Sequence, residues 1–383
     1  MRTPANGAVV ALVALVGVVV FTVSERTAQS QSASPALAAR SSLSAGTASS
    51  KIAFIRGMPN GPGLVYVMNA DGSGQRRLSQ DDVASIRPPA WSPDGRKIAF
   101  DSAHDPPSKP DVYVMNADGS GQQRLTRNPA GDYAPAWSPD GQKIAFQSYR
   151  NRGDHFDVSV MNADGSGQRR LTRSPAHDSV PVWSPDGQKI AFIRSRGRWS
   201  RRCTSSCVDV YVMNADGSGQ RNLTPNLASG HSPVWSPNGR KIAFLSNRDS
   251  NSEIYVMNAD GSDLRRLTRN PAGDYAPAWS PDGRKIAFAT VRAENSDYPL
   301  SDIYVMNADG SGQRRLTRSP AHDFAPAWSP DGRKIAFESR PGDLRRDGNS
   351  EIYVIKADGS DLRRLTRSPE WDWAPAWSPG QKK

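Results

Sequence analysis

Ala325-Pro-Ala-Trp-Ser-Pro-Asp-Gly-Arg-Lys-Ile-Ala-Phe337 is the stretch whose reading decides the fold. Short apolar runs flank an Asp-Gly pair. Gly tolerates the positive φ that a tight turn requires, so Asp-Gly between β-rich runs reads as a hairpin. The stretch is also one copy of many. Lys-Ile-Ala-Phe recurs seven times, beginning at Lys51, Lys97, Lys143, Lys189, Lys241, Lys285 and Lys334. Trp-Ser-Pro recurs at Trp91, Trp137, Trp183, Trp235, Trp279, Trp328 and Trp377, with spacings of 46, 46, 52, 44, 49 and 49 residues. A period of roughly 40 to 50 residues built from short strands is the signature of a β-propeller, whose units cannot bury their apolar faces alone.

Each repeat reads as four strands. Strand a is Ala-Pro-Ala-Trp-Ser and strand b is Lys-Ile-Ala-Phe. After a variable connection, strand c is Ile-Tyr-Val-Met-Asn; an Ala-Asp-Gly-Ser-Gly turn then leads into strand d, Arg-Arg-Leu-Thr. The repeats begin at strand b (Lys51) and end at strand a (Ala374 to Ser378), with six whole units between. Pairing of the two fragments closes a sheet without a free edge. The expected fold is therefore all-β: a seven-bladed propeller of four-stranded antiparallel blades, the last blade closed by the N- and C-terminal strands. Apolar residues are expected to alternate within the short strands.

Three segments divide the chain. Residues 51–383 form the propeller. The nearly unbroken apolar run Ala8 to Val23 behind Arg2 makes residues 1–38 an export signal or a membrane anchor. Residues 39–50 are a low-complexity linker. Either reading of the N-terminal segment places the propeller outside the cytoplasm, in the periplasm or extracellular space, tethered or free.

The unit at Ala325 to Phe337, with Asp302-Ile-Tyr-Val-Met-Asn-Ala-Asp-Gly-Ser-Gly and Arg-Arg-Leu-Thr317, closely resembles the propeller repeat of the TolB family. The resemblance covers residues 51 to 383. It implies a β-propeller that binds other proteins of the cell envelope. TolB itself combines an α/β domain with six blades, whereas seven blades and no room for that domain are expected here, so the resemblance is to a TolB-like propeller only. Related repeats precede the catalytic domain of prolyl oligopeptidase-type enzymes. No Gly-x-Ser-x-Gly nucleophile elbow occurs here, so that chemistry is not expected.

Formal charge is +11, and +10 without residues 1–38. Export argues against nucleic acid as the reason for the excess. Pairs such as Arg76-Arg77, Arg169-Arg170, Arg265-Arg266, Arg314-Arg315 and Arg363-Arg364 on strand d read as an edge guard against aggregation. An anionic surface is the functional alternative.

Strand direction alternates, so the a–b and c–d turns share one face and the b–c and d–a connections share the other. The turns barely vary between copies while the b–c connections differ in every one. Per-repeat variation confined to one face is the layout of a binding surface. Aromatic and imidazole side chains before strand a are candidate ligand contacts at the channel mouth: Tyr133, His231, Tyr275, Phe324, Trp371 and Trp373. The competing reading is packing between blades. Arg196, Arg198, Trp199, Arg201 and Arg202 make one b–c loop basic and aromatic, a second candidate binding patch. Cys203 and Cys207, in the same loop, are expected to form a local disulfide in an exported chain.

Arg and Asp recur five residues apart, as Arg127 and Asp132, Arg173 and Asp178, Arg269 and Asp274, Arg318 and Asp323, and Arg367 and Asp372. The two deviant copies lose both. The expectation is a structural charge pair in each d–a loop. Asn-x-Asp-Gly-Ser-Gly lacks the ligand set of a calcium loop and reads as a turn. No catalytic residue, metal site or cofactor is expected.

The leading functional expectation is a non-enzymatic, monomeric binding scaffold that presents a loop-rich face to an envelope protein, peptide or polysaccharide. Pectate-type lyases with similar repeats use His and a metal. The alternative is therefore a carbohydrate-active, lyase-like enzyme with a metal site near His177, His231 and His322 at the channel mouth.

Overall fold

The structure is a computed structural model. It describes residues 50–58, 63–80, 87–103, 109–150, 155–195, 208–225, 230–248, 251–291, 300–341 and 349–380. The N-terminal segment expected to be a signal or anchor lies outside these residues. So does the whole of the Arg196–Arg202 loop, with Cys203 and Cys207. Among the described residues no helix is long and apolar enough to cross a membrane.

Every described element is a strand. Trp371–Trp377 (strand a) pairs antiparallel with Lys51–Gly57 (strand b), which continues to Gly63–Asn69 and Arg76–Arg77. Four further four-stranded sheets run a-b-c-d: Ala90–Trp91 to Gln123–Arg124, Asp132–Trp137 to Arg169–Arg170, His177–Trp183 to Arg221–Asn222, and Gly230–Trp235 to Arg265–Arg266.

The expectation of seven separate four-stranded blades is corrected here. Five blades of four antiparallel strands stand alone, and the strands from Asp274–Trp279 to Arg363–Arg364 form one eight-stranded sheet. The join is a parallel pairing of Ser301 with His322. Strand a there starts at Ala321, earlier relative to its Trp than in the other copies, so its end meets Ser301 at the start of strand c. The Ser301 hydroxyl also donates to the Asp323 carbonyl at 3.0 Å.

The repeats are locked to one another by the Trp-Ser-Pro indoles. Trp137 Nε1 donates to Ala90 O (3.0 Å), Trp183 to Ala136 O (3.1 Å), Trp235 to Val182 O (3.1 Å), Trp279 to Val234 O (3.3 Å), Trp328 to Ala278 O (3.0 Å) and Trp377 to Ala327 O (3.0 Å). Trp91 closes the series by donating to Ala376 O at 3.1 Å. The repeated Trp thus serves as a clasp between the strands a of neighbouring repeats.

Lys-Ile-Ala-Phe does not alternate between core and solvent. Ile, Ala and Phe are all buried in every copy. Each sheet lies between two others, so both of its faces are core. Ile52 and Phe54 pack with Ala336, Ile352 and Val354 of one neighbour, while Ala53 and Ile55 pack with Ile98 and Phe100 of the other. Phe on strand b meets Tyr on strand c across the ladder, as in Phe244–Tyr255 with ring centroids 5.8 Å apart.

Strand a carries a bulge. Its register shifts just after Tyr133, Ser179, His231, Tyr275, Phe324 and Trp373, and the next residue takes positive φ (51° to 57°) without being Gly. The strand at Ala90–Trp91 is the exception, only two residues long. Pro88 and Pro89 precede it there, and Pro has no N–H to give the ladder.

Candidate functional site at the variable face

The invariant turns spend their polar groups on themselves. In the c–d turn at Asp71, the carboxylate accepts from the Ser73 amide (2.9 Å) and hydroxyl (2.6 Å), and these bonds hold Asp71 below the usual carboxylate range. The same arrangement recurs at Asp118, Asp164, Asp216, Asp260, Asp309 and Asp358. In the a–b turn the Ser138 hydroxyl donates to Asp140 at 2.5 Å. One oxygen of each of these carboxylates is thus engaged by its own turn.

The strand-d Arg pairs lie on edge strands and also act as braces. In three pairs the first Arg reaches the next c–d turn, Arg76 Nη1 donating to Asp118 O (2.7 Å), Arg169 to Asp216 O (2.8 Å) and Arg314 to Asp358 O (2.6 Å), whereas Arg265 and Arg363 bond to Asp263 and Asp361 of their own turns. The second binds a buried acid at the start of strand c: Arg170–Asp157 (2.8 Å), Arg266–Glu253 (2.7 Å), Arg315–Asp302 (2.8 Å) and Arg364–Glu351 (2.5 Å). Arg124 and Asp111 make the same pair.

The expected Arg–Asp pairs five residues apart are not formed. Arg127, Arg173, Arg269, Arg318 and Arg367 are exposed, while Asp132, Asp178, Asp274, Asp323 and Asp372 are buried. The bulge at strand a turns each Asp inward. Asp178 pairs with Arg194 of its own sheet at 2.6 Å, and Asp372 with Arg56 at 2.6 Å. Asp132 accepts from Asn128, Asp274 from Asn270 and Thr290, and Asp323 from Ser319 and Ser339. Burial pushes all five carboxyls up, Asp274 to about 6, with Glu253 adding to the effect there.

The candidate collar residues Tyr133, His231, Tyr275, Phe324, Trp371 and Trp373 are all half-buried. Tyr275, Phe324 and Trp373 pack against the cores between sheets. Tyr133 meets Phe156 edge-on at 5.7 Å, and burial pushes its phenol up to about 12. Burial pushes the His231 imidazole down. The His177 Nδ1 accepts from the Phe156 amide at 3.3 Å, while His322 lies opposite Arg340. Among the described residues no group of three or more His, Cys, Asp or Glu could hold a metal ion. Trp371 differs from the other rings: the Arg340 guanidinium lies 4.4 Å over its face.

A cavity of about 320 Å³ opens where strand a is shortest. It is lined by Ile55, Arg87, Pro88, Pro89, Phe100, Asp101, Ala134 and Val180, among others. Burial pushes the Arg87 guanidinium down, and the charge of Asp101 opposes that.

Sequence reasoning missed the position after Lys-Ile-Ala-Phe. Asp101, Gln147 and Glu338 reach the next sheet's bulge: Asp101 accepts from the Ala134 amide (3.5 Å), Gln147 from the Val180 amide (3.3 Å) and Glu338 from that of Ala374. The signal was a polar residue where the other copies have Ile, Leu or Ala.

Comparison with known proteins supports this architecture. The TolB beta propeller domain matches residues 26–201 and 268–383, and the Tricorn protease N-terminal beta propeller domain matches residues 203–300. No curated protein matches significantly. Among solved structures, one assigned as TolB from Agrobacterium tumefaciens is similar at 25% identity over 67% of this chain and 94% of that one (TM-score 0.50). TolB from Acinetobacter baumannii is similar at 18% identity over 86% and 82% (TM-score 0.54). An oligogalacturonate lyase in complex with manganese is similar at 16% identity over 84% and 86% (TM-score 0.62), a likeness of fold alone. With its repeat, its clasps and the family match over most of its length, the chain belongs to the TolB β-propeller family.

Proposed function

We propose that this chain is a non-enzymatic, exported binding scaffold, monomeric, that takes a protein, peptide or polysaccharide partner on the face of the b–c and d–a connections. One contrast carries the reading. The turn face spends its carboxylates and Arg side chains on internal bonds, whereas the opposite face varies from repeat to repeat and holds half-buried rings and the Arg87 cavity. A rigid ring with variable loops on one face suits recognition.

Capture from envelope extract by the full chain tests it, run beside Trp371→Ala/Arg87→Gln and beside Lys143→Gln/Lys189→Gln on the turn face, with thermal melts for all three. A partner kept by the parent and the turn-face variant but lost by the first variant supports the reading. Equal retention by all three overturns it, as does turnover of an acidic polysaccharide by the purified chain.

A further inference from the structure

Two buried donors on neighbouring sheets have no acceptor among the described residues. They are Arg340 Nε, at the end of a strand b, and Trp373 Nε1, on the strand a that follows. Buried donors are nearly always paired, and an orphan calls for an explanation. An apolar residue in place of either would avoid the cost of desolvating it.

The surroundings are those of an anion site. Arg340 is half-buried and stacked on Trp371, two residues before Trp373. Stacking fixes the plane of the guanidinium, whose terminal amino groups carry its remaining donors. Glu338, two residues earlier on the same strand and hence on the same sheet face, is buried. Its carboxyl accepts from the Ser350 hydroxyl at 2.6 Å and from the Ala374 amide. Phe324 and His322 lie opposite Glu338 and Arg340 on the neighbouring strand, and Asp372 adds its charge from strand a.

We infer that this joint binds a carboxylate ligand at the channel mouth, the Arg340 fork taking the carboxylate and Trp371 holding the fork in place. The inference rests on the binding-face reading above and names a ligand chemistry for it. Carboxylate geometry matches a planar guanidinium better than any monodentate acceptor does. Burial pushes the Glu338 carboxyl up to about 7, against the bonds from Ser350 and Ala374. Glu338 therefore works as a gate. Protonated, it leaves Arg340 uncompensated and the site attracts an anion. Ionised, it competes with the ligand for Arg340, so binding tightens as pH falls through neutrality.

Calorimetric titration of the full chain with two probe pairs tests this: galacturonate against galactose, and N-acetylleucine against N-acetylleucinamide. The acid of at least one pair should bind roughly tenfold or more tighter than its neutral partner, the worth of a charge-assisted bond. Whichever pair binds names the source, sugar or peptide. Affinity should rise severalfold between about pH 8 and about pH 6. Glu338→Gln should bind at the higher pH as tightly as the parent does at the lower. Arg340→Gln should lose the preference for acids, and Arg340→Lys, which keeps the charge without the fork, should weaken it. Arg318→Gln, an exposed Arg elsewhere, should change nothing. If acid and neutral probes are indistinguishable, or Glu338→Gln leaves the pH dependence intact, the site is overturned. Loss of probe binding with the envelope partner still captured would sink this site and leave the scaffold reading standing.

Discussion

The two faces of this protein are built from the same repeat and put to opposite uses. On the turn face the sequence is nearly constant and the same small bonds recur: Ser to Asp within the c–d turn, the first strand-d Arg to the next turn's carbonyl or to an Asp of its own turn, Ser to Asp in the a–b turn. On the other face five copies share a buried Asp but differ in its partner: Arg194, Arg56, Asn128, Asn270, Ser319. A position solved identically in each copy is structural, and a position solved differently leaves room for one copy to acquire a site. Glu338, Arg340 and Trp371 are such a local solution, absent from the other copies.

The contrast can be broken by substitution, beginning with the largest effect. Asp178→Ala should cost about 3 to 5 kcal/mol in urea unfolding, because it leaves Arg194 without its buried partner. A loss under 1 kcal/mol would show that water replaces the carboxylate.

Next comes the pH dependence of Asp274. Its folded pKa of about 6 lies above the ordinary 3.8, so the folded state holds the proton more tightly than the unfolded chain. Its stabilising contribution is complete below the unfolded value and is lost as pH rises through about 6. Asp274→Asn should remove on the order of 2 kcal/mol of that decline between about pH 4 and about pH 7. Parallel pH–stability curves for parent and variant would contradict it.

On the turn face, Gly310→Ala should cost about 2 kcal/mol, as φ is +90° and an added Cβ would stand 3.0 Å from the Leu267 carbonyl oxygen. Trp328→Phe removes one clasp, the bond to Ala278 O, and should cost about 1 kcal/mol with secondary structure intact by circular dichroism. The smallest effect sharpens the contrast most: Arg318→Gln should shift stability by less than about 0.5 kcal/mol, since this Arg is exposed and its expected partner Asp323 bonds elsewhere. A cost above 1 kcal/mol would restore the loop pair read from the sequence.

Much of the fold was legible because periodicity survives translation into structure. Six copies of Trp-Ser-Pro-x-Gly-x-Lys-Ile-Ala-Phe, with a leading Lys-Ile-Ala-Phe and a trailing Trp-Ser-Pro, set the strands and their order, and the pairing of Trp371–Trp377 with Lys51–Gly57 follows from where the repeats begin and end. Partners were less legible. Joint loss of Arg and Asp in the same two copies suggested contact, but both belong to one loop design and need not touch. The bulge after Trp373, and after its equivalents, sends Asp inward while the Arg stays in solvent.

The sequence by itself determined the strands, their turns and the face that varies, because these depend on local spacing and on residues suited to tight turns. Only the tertiary structure decided that Lys-Ile-Ala-Phe is buried on both sides, that two repeats merge through Ser301 and His322, and that Glu338 and Arg340 meet the strand of Trp371, Trp373 and Ala374. Those contacts join residues of adjacent sheets, and such neighbours are set by how the repeats pack around the ring, which no single repeat encodes.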